Sequence, residues 1–567
     1  MQSIPVWNHL PRARMTQAIL VVCVCLVAGK IIGLGTFEDA YITFRCSENF
    51  ALGHGLNYNP GERVESSSTF FYALLVGAVE RWLRLNPILT GNALNFSALL
   101  FILWMLAQRA RPPEEGMSAR AVAVGFWYAA THPALWAYAH SGMETVFFTG
   151  LMFAGFLGLL EMVETGRGAG RAGLLFGLAA ITRMEATAFM GLAAGLAVCF
   201  GPKERRLIGP LWLLLCFVAV FAPVLAWRWT YYGYPFPISY YVKVDGGGLL
   251  LAKRGLFYVF TWLILNPFGT ATLGLGIRFI HRRTALPRRV TIGLIWIAAY
   301  LAYVLSVGGD YLPFGRFLVP IIPVLSLIGA DLWPRWVEER AAQANPSRRL
   351  TRRRIIAYLA VSQVWAVIFP FQFFGLLHEL GTASTWRQVG KAIHRRIPDR
   401  DVTLFSFTAG ALPYYAKLRC HDGLGLTDPV LAHKKVELGK GIPGHEKADV
   451  RRIFDLRPDL IAYQSFGKKV RIRTLPHYVT DESGQKVFVD AGGKAHPLKA
   501  RPNHQGETDL FSQHEIMMSL FASEEFLSRY QLMKLKDPAL QALFFVRRDA
   551  KPRLKAAFVP FAAPDEN

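Results

Sequence analysis

Long apolar runs separated by short polar segments fill the first 377 residues of the chain. A hydrocarbon core about 30 Å thick needs roughly 20 apolar residues per helix. On that basis the pattern predicts about eleven membrane spans, at residues 16–35, 91–108, 120–138, 145–163, 172–186, 187–201, 207–229, 257–278, 290–306, 316–333 and 355–377. The sequence therefore predicts a polytopic α-helical membrane protein.

Basic residues between the runs indicate the topology. They cluster at 109–111, 167–171, 203–206, 282–289 and 348–354, as is typical of cytoplasmic loops. These clusters fall on one side only if the apolar segment 67–85 does not cross the membrane. We therefore predict that 67–85 is a helix lying at the outer interface. The first apolar run has no clear cleavage site, so we predict an uncleaved span rather than a secretion signal.

Composition agrees with a membrane protein. The chain has 52% hydrophobic and 18% charged residues and a mean hydropathy of +0.27, which is too apolar for an ordinary soluble enzyme. Its net charge of +23 does not indicate nucleic acid, because no basic face or aromatic platform accompanies it. The cysteines show no metal-ligand spacing and are predicted to act as small hydrophobes.

Several polar segments that are far apart in the sequence fall on the outer face in this topology. They include "FEDAYITFRCSENF", "AHSGMETVF", "ITRMEATAF", "YYGYPFPISYYVKV" and "VGGDYLPFGRFL". Ionisable groups at membrane depth are costly, and they usually line a functional cavity or pair with one another. We therefore predict one polar cavity, with a donor-binding set and a cavity or acceptor set. The donor-binding set is Arg183, Tyr240, Tyr241, Lys243, Asp310 and Arg316, and the second set is His54, Glu65, His140, Glu144, Glu185 and His445.

Structural roles are alternatives for some of these residues. Asp39 could be only the N-cap of an amphipathic helix that ends at the glycines of "LGHG". Asp310 and Arg316 could be a salt bridge that braces a loop. His54, between two glycines, is more typical of a loop residue than of a metal ligand.

The remaining acids leave two further alternatives open. Glu144 and Glu185 could pair structurally with Arg183 or with His140. Clustered carboxylates on the outer face could also hold Mg²⁺ or Mn²⁺ through oxygen ligands. A chelator that left turnover unchanged would remove a metal from the mechanism.

An acid near the outer interface, with cations nearby, suits glycosyl transfer from a lipid phosphate. In that reaction a carboxylate accepts the proton of an attacking sugar hydroxyl, and cationic side chains steady the phosphate leaving group. Asp39 or Glu38 would be the base. Lys243, Arg316 and Arg183 would hold the phosphate.

Six blocks of sequence resemble the bacterial membrane glycosyltransferases of the GT-C class. They are "FEDAYITFRCSENFALGHGLNYNPGERVE", "SGMET", "ITRMEA", "YYGYPFPISYYVK", "GGDYLPFGRFLVPIIPVL" and "GIPGHEKADVRRIFDLRPDLI". The chain is most similar to the terminal β-arabinofuranosyltransferase-like family, which uses decaprenyl-phosphate arabinose. Family members usually have two aspartates where this chain has Glu38 and Asp39, and proline is more usual at Met184. The resemblance implies a polyprenyl-phosphate sugar donor, an acceptor glycan outside the cytoplasm and a soluble C-terminal domain.

After the last apolar run the chain becomes more polar. "DVTLFSFTAGALPYYA" predicts strand, turn and helix, and "LRCHDGLGL", "RRIFDLRPDLIAYQS" and "LQALFFVRRD" contain further strand candidates. This alternation favours an α/β layer domain. We therefore predict a transmembrane catalytic domain at 1–377, with a first outer loop at 36–90, and an extracytoplasmic α/β domain at 378–567. His445 and Glu446 fit structural roles in this domain better than catalytic ones.

These observations together predict a membrane glycosyltransferase of the bacterial inner membrane. It would transfer a sugar, with arabinofuranose as the first candidate, to an extracytoplasmic glycan or glycoprotein. One alternative is a transporter for the lipid-linked sugar, but the inverted repeats typical of transporters are not seen in the sequence. The other is a non-enzymatic glycan-binding membrane protein, which leaves the buried acids unexplained.

Overall fold

The computed structural model describes residues 12–109, 119–244, 248–344, 348–467, 477–481, 483–489, 494–499 and 518–561. The predicted cytoplasmic basic cluster at 109–111 therefore lies largely outside the described residues.

Helices make up most of the first 396 residues. They are α1 Arg12–Ile32, α2 Ala40–Ala51, α3 Phe70–Leu83, α4 Pro87–Arg109, α5 Ala119–Ala130, α6 Pro133–His140, α7 Thr145–Thr165, α8 Ala169–Thr182, α9 Ala186–Phe200, α10 Ile208–Tyr232, α11 Ile238–Lys243, α12 Leu249–Leu265, α13 Pro267–His281, α14 Arg288–Val307, α15 Ile322–Ala344, α16 Arg348–Ile368 and α17 Pro370–Arg396. Short 3₁₀ helices lie at Lys203–Arg205 and Arg316–Ile321.

Strands alternate with short helices in the remainder of the chain. The strands are β1 Thr403–Ser406, β2 Arg419–Asp422, β3 Leu460–Gly467, β4 His477–Thr480, β5 Lys486–Val489, β6 Ala495–Pro497, β7 Tyr530–Leu535, β8 Leu540–Arg547 and β9 Phe558–Pro560. The helices between them are α18 Ala411–Ala416, α19 Pro429–Ala432, α20 Val450–Leu456, α21 Glu524–Arg529 and α22 Pro552–Lys555.

The described chain divides into two compact units. The first takes its residues from 1–36, 69–235 and 251–377, and the second from 37–68, 236–250 and 378–567. The sequence placed 37–68 and 236–250 in the transmembrane domain, whereas the structure packs both segments with the C-terminal residues. Their composition explains this difference, because both are polar compared with the apolar runs that flank them.

The first unit contains the membrane helices. In the part of the chain that the structure describes, five helices are long and apolar enough to cross a bilayer: Pro87–Arg109, Thr145–Thr165, Ile208–Tyr232, Arg288–Val307 and Arg316–Arg340. Up to seven spans result if Leu249–Leu265 with Pro267–His281, and Arg353–Ile368 with Phe371–Arg396, each count as one bent span. The chain is therefore a multi-pass membrane protein.

The predicted number of about eleven spans is not confirmed. Three of the predicted spans correspond to apolar helices shorter than 18 residues, Thr16–Ile32, Ala169–Thr182 and Ala186–Phe200, and helix breaks account for part of the remaining difference. The predicted span 120–138 is interrupted before Pro133, between α5 and α6. The predicted span 257–278 is bent by 99° between α12 and α13, where Pro267 begins the second helix. Proline favours such a break because it lacks a backbone N–H and clashes with the preceding turn.

The segment predicted to lie at the interface is helical, as α3. It ends at Arg84, whose φ of 54° terminates the helix in the left-handed region. Elsewhere in this unit, α8 and α10 pack closely through small residues. A Cβ on Gly173 would overlap the carbonyl oxygen of Leu213, so only glycine allows this approach between the two backbones.

A mixed sheet forms the centre of the second unit. Its strand order is β2-β1-β3-β8-β7-β9, with β1 parallel to both β2 and β3 and the other pairs antiparallel. The sequence predicted the strand, turn and helix that the structure has as β1 and α18. A second sheet has the order β4-β5-β6. Phe405, Ile461, Phe521 and Phe545 lie in one buried core cluster of this unit.

Candidate functional site

Arg183 links two carboxylates at the starts of different helices in the first unit. Its Nη1 lies 2.6 Å from Glu144 Oε1, and its Nε lies 2.5 Å from Glu185 Oε1. Glu144 and Glu185 occupy the N-cap positions of α7 and α9 without capping them through their side chains. Both carboxylates are therefore directed at the arginine instead. This arrangement contains the structural pairing with Arg183 that the sequence left open.

A methionine precedes each of these glutamates, and each methionine contacts a further buried arginine. The sulfur of Met143 lies 3.7 Å from Arg316 Nη1, and the sulfur of Met184 lies 3.3 Å from Arg228 Nη1. Arg316 is 5% exposed and Arg228 is 1% exposed. The repeated Met-Glu dipeptides thus lie among Arg316, Arg183 and Arg228. We call these arginines, with their acidic partners, the arginine network.

Asp310 pairs with Arg316 in this network. Asp310 Oδ2 lies 2.5 Å from Arg316 Nε, and Asp310 Oδ1 accepts a hydrogen bond from the N–H of Tyr311. Gly308 and Gly309, with φ of 81° and 72°, form the turn before the acid. The ion pair that the sequence considered as a brace for this loop is thus present. The guanidinium of Arg316 also lies 5.2 Å from the ring centre of Phe317.

His140 lies apart from the ion pairs of Arg183. Its Nδ1 is 2.9 Å from the carbonyl oxygen of Trp136, and its ring meets the ring of Phe96 edge to face at 4.9 Å. A Cβ on Gly29 of α1 would overlap the imidazole. The histidine therefore packs against the first helix of its unit.

The acid pair Glu38 and Asp39 belongs to the second unit, and the two side chains differ in environment. Glu38 is 7% exposed, and its Oε1 accepts hydrogen bonds from the N–H groups of Gly410 at 2.7 Å and Ala411 at 3.0 Å. Asp39 is half-buried and occupies the N-cap position of α2, but its side chain makes no capping hydrogen bond. Capping therefore does not account for Asp39.

The environment of Glu38 disfavours its charged form. Burial and, to a smaller extent, the neighbouring charge of Asp39 raise the pKa of Glu38 to about 8, although the two backbone N–H groups lower it. Loss of solvation and a like charge both favour a neutral carboxyl group.

Lys243 and the two tyrosines before it lie on α11, also in the second unit. A Cβ on Gly444 would be 3.0 Å from Lys243 Cε, so the lysine stem lies against that glycine. The ring of Tyr241 is 4.4 Å from the ring of His433, and Tyr240 is exposed. The helix begins where the N–H of Ile238 donates to the carbonyl oxygen of Glu65. Glu65 therefore contacts the first residue of the helix that carries Lys243. The sequence had placed Lys243 in the donor-binding set and Glu65 in the cavity or acceptor set.

The segment 441–447 supports α11. Lys447 is 1% exposed and donates through Nζ to the carbonyl oxygens of Tyr241 at 2.8 Å and Ala432 at 2.7 Å. Glu446 accepts hydrogen bonds from the N–H groups of Gly439 and Gly441. His445 Nδ1 lies 3.2 Å from the carbonyl oxygen of Pro443. These contacts hold the segment 439–447 against α11, and the roles of His445 and Glu446 stay predictions.

His54 is exposed at a cavity of about 430 Å³ in the second unit. Arg45, Glu48, Lys417 and Arg419 also line this cavity. Lys417 forms an ion pair with Glu48. Among the described residues, no group of three or more His, Cys, Asp or Glu side chains is placed to hold a metal ion.

Sequence reasoning missed Arg228 and Arg45, which are among the buried cations of the two units. Arg228 lies near the C-terminal end of the apolar helix α10, and a lone arginine in an apolar run was the signal available. Arg45 is 6% exposed and donates to the carbonyl oxygens of Tyr58, Pro413 and Leu418. Nothing in the local sequence indicates these carbonyl partners.

The fold of this chain is similar to that of ArnT. The crystal structure of ArnT from Cupriavidus metallidurans bound to undecaprenyl phosphate is similar to 84% of this chain and 98% of that chain, with 14% identity and a TM-score of 0.52. The apo structure of the same protein is similar over 72% of this chain and 86% of that chain, with 15% identity and a TM-score of 0.45. At 14% identity the likeness to the undecaprenyl phosphate complex shows a shared fold and does not single out the arabinofuranosyltransferase-like family.

Two further comparisons bear on the chain. Residues 377–509 match a family model described as a domain of unknown function, DUF8728. No curated protein matches the chain significantly.

Proposed function

We propose that this protein is a membrane glycosyltransferase that moves a sugar from a polyprenyl phosphate to an extracytoplasmic glycan or glycoprotein. The observation that carries the proposal is the acid pair Glu38 and Asp39, which opens a polar outer loop on a fold similar to that of ArnT. The ArnT crystal structure contains undecaprenyl phosphate, which supports a polyprenyl phosphate as the carrier. Arabinofuranose is the first sugar to test.

In the proposed reaction the Asp39 carboxylate accepts the proton of an acceptor hydroxyl. The hydroxyl oxygen attacks the anomeric carbon, and the bond from that carbon to the phosphate oxygen breaks. The polyprenyl phosphate leaves with the electron pair of that bond. Lys243 and Arg316 are the proposed partners of the growing negative charge, because cationic side chains stabilise a phosphate leaving group.

The arginine network gives Arg183 a different proposed role. Its Nε and Nη1 already contact two carboxylates, so it holds Glu144 and Glu185 in place. The two glutamates remain proposed cavity or acceptor residues, together with His54, Glu65, His140 and His445. Tyr240, Tyr241 and Asp310 remain proposed donor-binding residues.

A donor panel tests this function. Purified protein in lipid nanodiscs would be mixed with polyprenyl-phosphate sugars, arabinofuranose included, and an acceptor glycan. We expect release of polyprenyl phosphate together with glycosylated acceptor for at least one donor. Folded protein that turns over none of the donors in nanodiscs, and that moves them across the bilayer when reconstituted into sealed vesicles, would favour the transporter.

A further inference from the structure

The first outer loop is bound to one short stretch of the α/β domain, within the second unit. Arg45 donates through Nη1 to the carbonyl oxygen of Pro413 at 2.6 Å and through Nη2 to that of Leu418 at 2.7 Å. The hydroxyl of Tyr58 donates to the carbonyl oxygen of Ala409 at 2.5 Å. These bonds fix 37–68 against 409–420.

A second pair of contacts strengthens this attachment. Asn59 donates to the carbonyl oxygen of Cys420 at 2.9 Å and accepts from its N–H at 3.1 Å. The ring of Tyr41 lies 5.4 Å from the ring of Tyr414. The attachment therefore combines hydrogen bonds from side chains to the backbone with aromatic packing.

Glu38 also belongs to this attachment, and it directly precedes Asp39, the proposed base, in the chain. Gly410 and Ala411, whose N–H groups bind its carboxylate, follow the carboxyl end of β1, which lies between the parallel strands β2 and β3. Ligands of open parallel sheets bind outside the carboxyl ends of the strands. Here the chain's own carboxylate takes that position beside β1.

The geometry excludes an extra side chain at this point. A Cβ on Gly410 would be 2.6 Å from Glu38 Oε1 and would overlap the carbonyl oxygen of Glu38. Only glycine at position 410 therefore allows the two segments to approach this closely. Since a general base must come within about 3 Å of the proton that it removes, a buried carboxylate held by two backbone amides is poorly placed for that role.

We propose that Glu38 is a positioning residue and not the base: its carboxylate ties the start of α2, and with it Asp39, to residues 410 and 411 of the α/β domain. This inference rests on the proposed function. Asp39 follows Glu38 directly in the chain, so a fixed Glu38 restricts where the Asp39 carboxylate can point.

Two substitutions at position 38 separate the roles. In Glu38→Gln the amide oxygen can still accept from both N–H groups, but the side chain cannot take a proton near neutral pH. In Glu38→Ala both hydrogen bonds are lost. Gly410→Ala removes the attachment from the other side, and Gly381→Ala is its control, because a Cβ on Gly381 meets nothing within 4 Å.

The transfer rate would be measured on full-length protein in nanodiscs with the donor found active. We expect Glu38→Gln to stay within about threefold of wild type, and Glu38→Ala and Gly410→Ala to lose at least about tenfold in kcat with little change in KM. A general base contributes about 10²–10⁴-fold, so a loss of that size in Glu38→Gln would make Glu38 the base and overturn the proposal. That variant decides the matter even where Glu38→Ala does not fold.

Hydrogen exchange provides a readout that needs no turnover. The amides of Gly410 and Ala411 should be protected in wild type and in Glu38→Gln and should exchange faster in Glu38→Ala. Equal protection in all three proteins would overturn the attachment. If wild type transfers no sugar while this pattern of protection is found, the proposed function fails and the attachment of Glu38 stands.

Discussion

Arg183 Nη1 lies 2.6 Å from Oε1 of Glu144, although 39 positions separate the two residues. The same guanidinium binds Glu185 through Nε, and its side chain is only 13% exposed. One cation is thus shared between two carboxylates that begin different helices.

Removing this shared cation should destabilise the first unit strongly. Arg183→Met would leave Glu144 and Glu185 without their common partner in a buried site, and breaking a buried ion pair costs about 3–5 kcal/mol. We expect a clear fall in the thermal midpoint of the nanodisc protein. Arg171→Ala is the control. The Arg171 side chain pairs with Glu161 and is 60% exposed, and exposed ion pairs contribute little to stability.

Neutralising the acids as well should recover part of that loss. The triple variant Arg183→Met, Glu144→Gln and Glu185→Gln removes all three charges, and replacing a complete buried ion group is often neutral. A triple variant that is less stable than Arg183→Met would contradict the view that uncompensated charge is the cause.

Arg316 should act on the chemical step of the proposed reaction. We expect Arg316→Ala to lower kcat by roughly 10²-fold, the usual effect of removing a donor that stabilises developing charge, with a smaller change in donor binding. Arg316→Lys should restore only part of the rate, because lysine lacks the planar fork that contacts two phosphate oxygens.

Asp310→Ala distinguishes this role from bracing. It breaks the ion pair, in which Nε and Oδ2 are 2.5 Å apart, and leaves the guanidinium in place. If Arg316→Ala and Asp310→Ala lose the same thermal stability and the folded fraction of each is fully active, Arg316 is structural and does not serve the phosphate.

Protein stability should depend on pH through Glu38. Burial raises the pKa of this carboxyl from 4.5 in the unfolded chain to about 8 in the folded protein, so the folded state holds the proton more tightly. Its contribution to stability is then fully present below about pH 4.5 and is lost as the pH rises through about 8. Across this range the thermal midpoint of wild type should fall relative to that of Glu38→Gln. Parallel curves for the two proteins would contradict the raised pKa.

The sequence predicted the helices and strands that depend on a local pattern of apolar and polar residues. Apolar runs gave the membrane helices, and the alternation in "TLFSFTAGALPYYA" gave the strand and helix now seen as β1 and α18. The predicted number of spans is not confirmed, because hydropathy does not record helix breaks such as the 99° bend before Pro267.

The attachment of residues 37–68 to the C-terminal residues of the second unit could not be predicted from the sequence. Glu38 binds backbone amides 372 and 373 positions away, and a backbone N–H is the same for almost any residue type. Arg45 likewise binds carbonyl oxygens 368 and 373 positions away. The acid pair was recognisable from its place after an apolar run, but the different environments of its two members were not.

The rate of polyprenyl phosphate release by wild type and by Asp39→Asn, measured with one active donor and an acceptor glycan, tests the proposed mechanism most directly. Asparagine keeps the shape of the side chain and cannot accept a proton near neutral pH. We expect Asp39→Asn to insert and fold like wild type and to release polyprenyl phosphate at least about 10²-fold more slowly. Release by folded Asp39→Asn at a near-normal rate would contradict the assignment of Asp39 as the base.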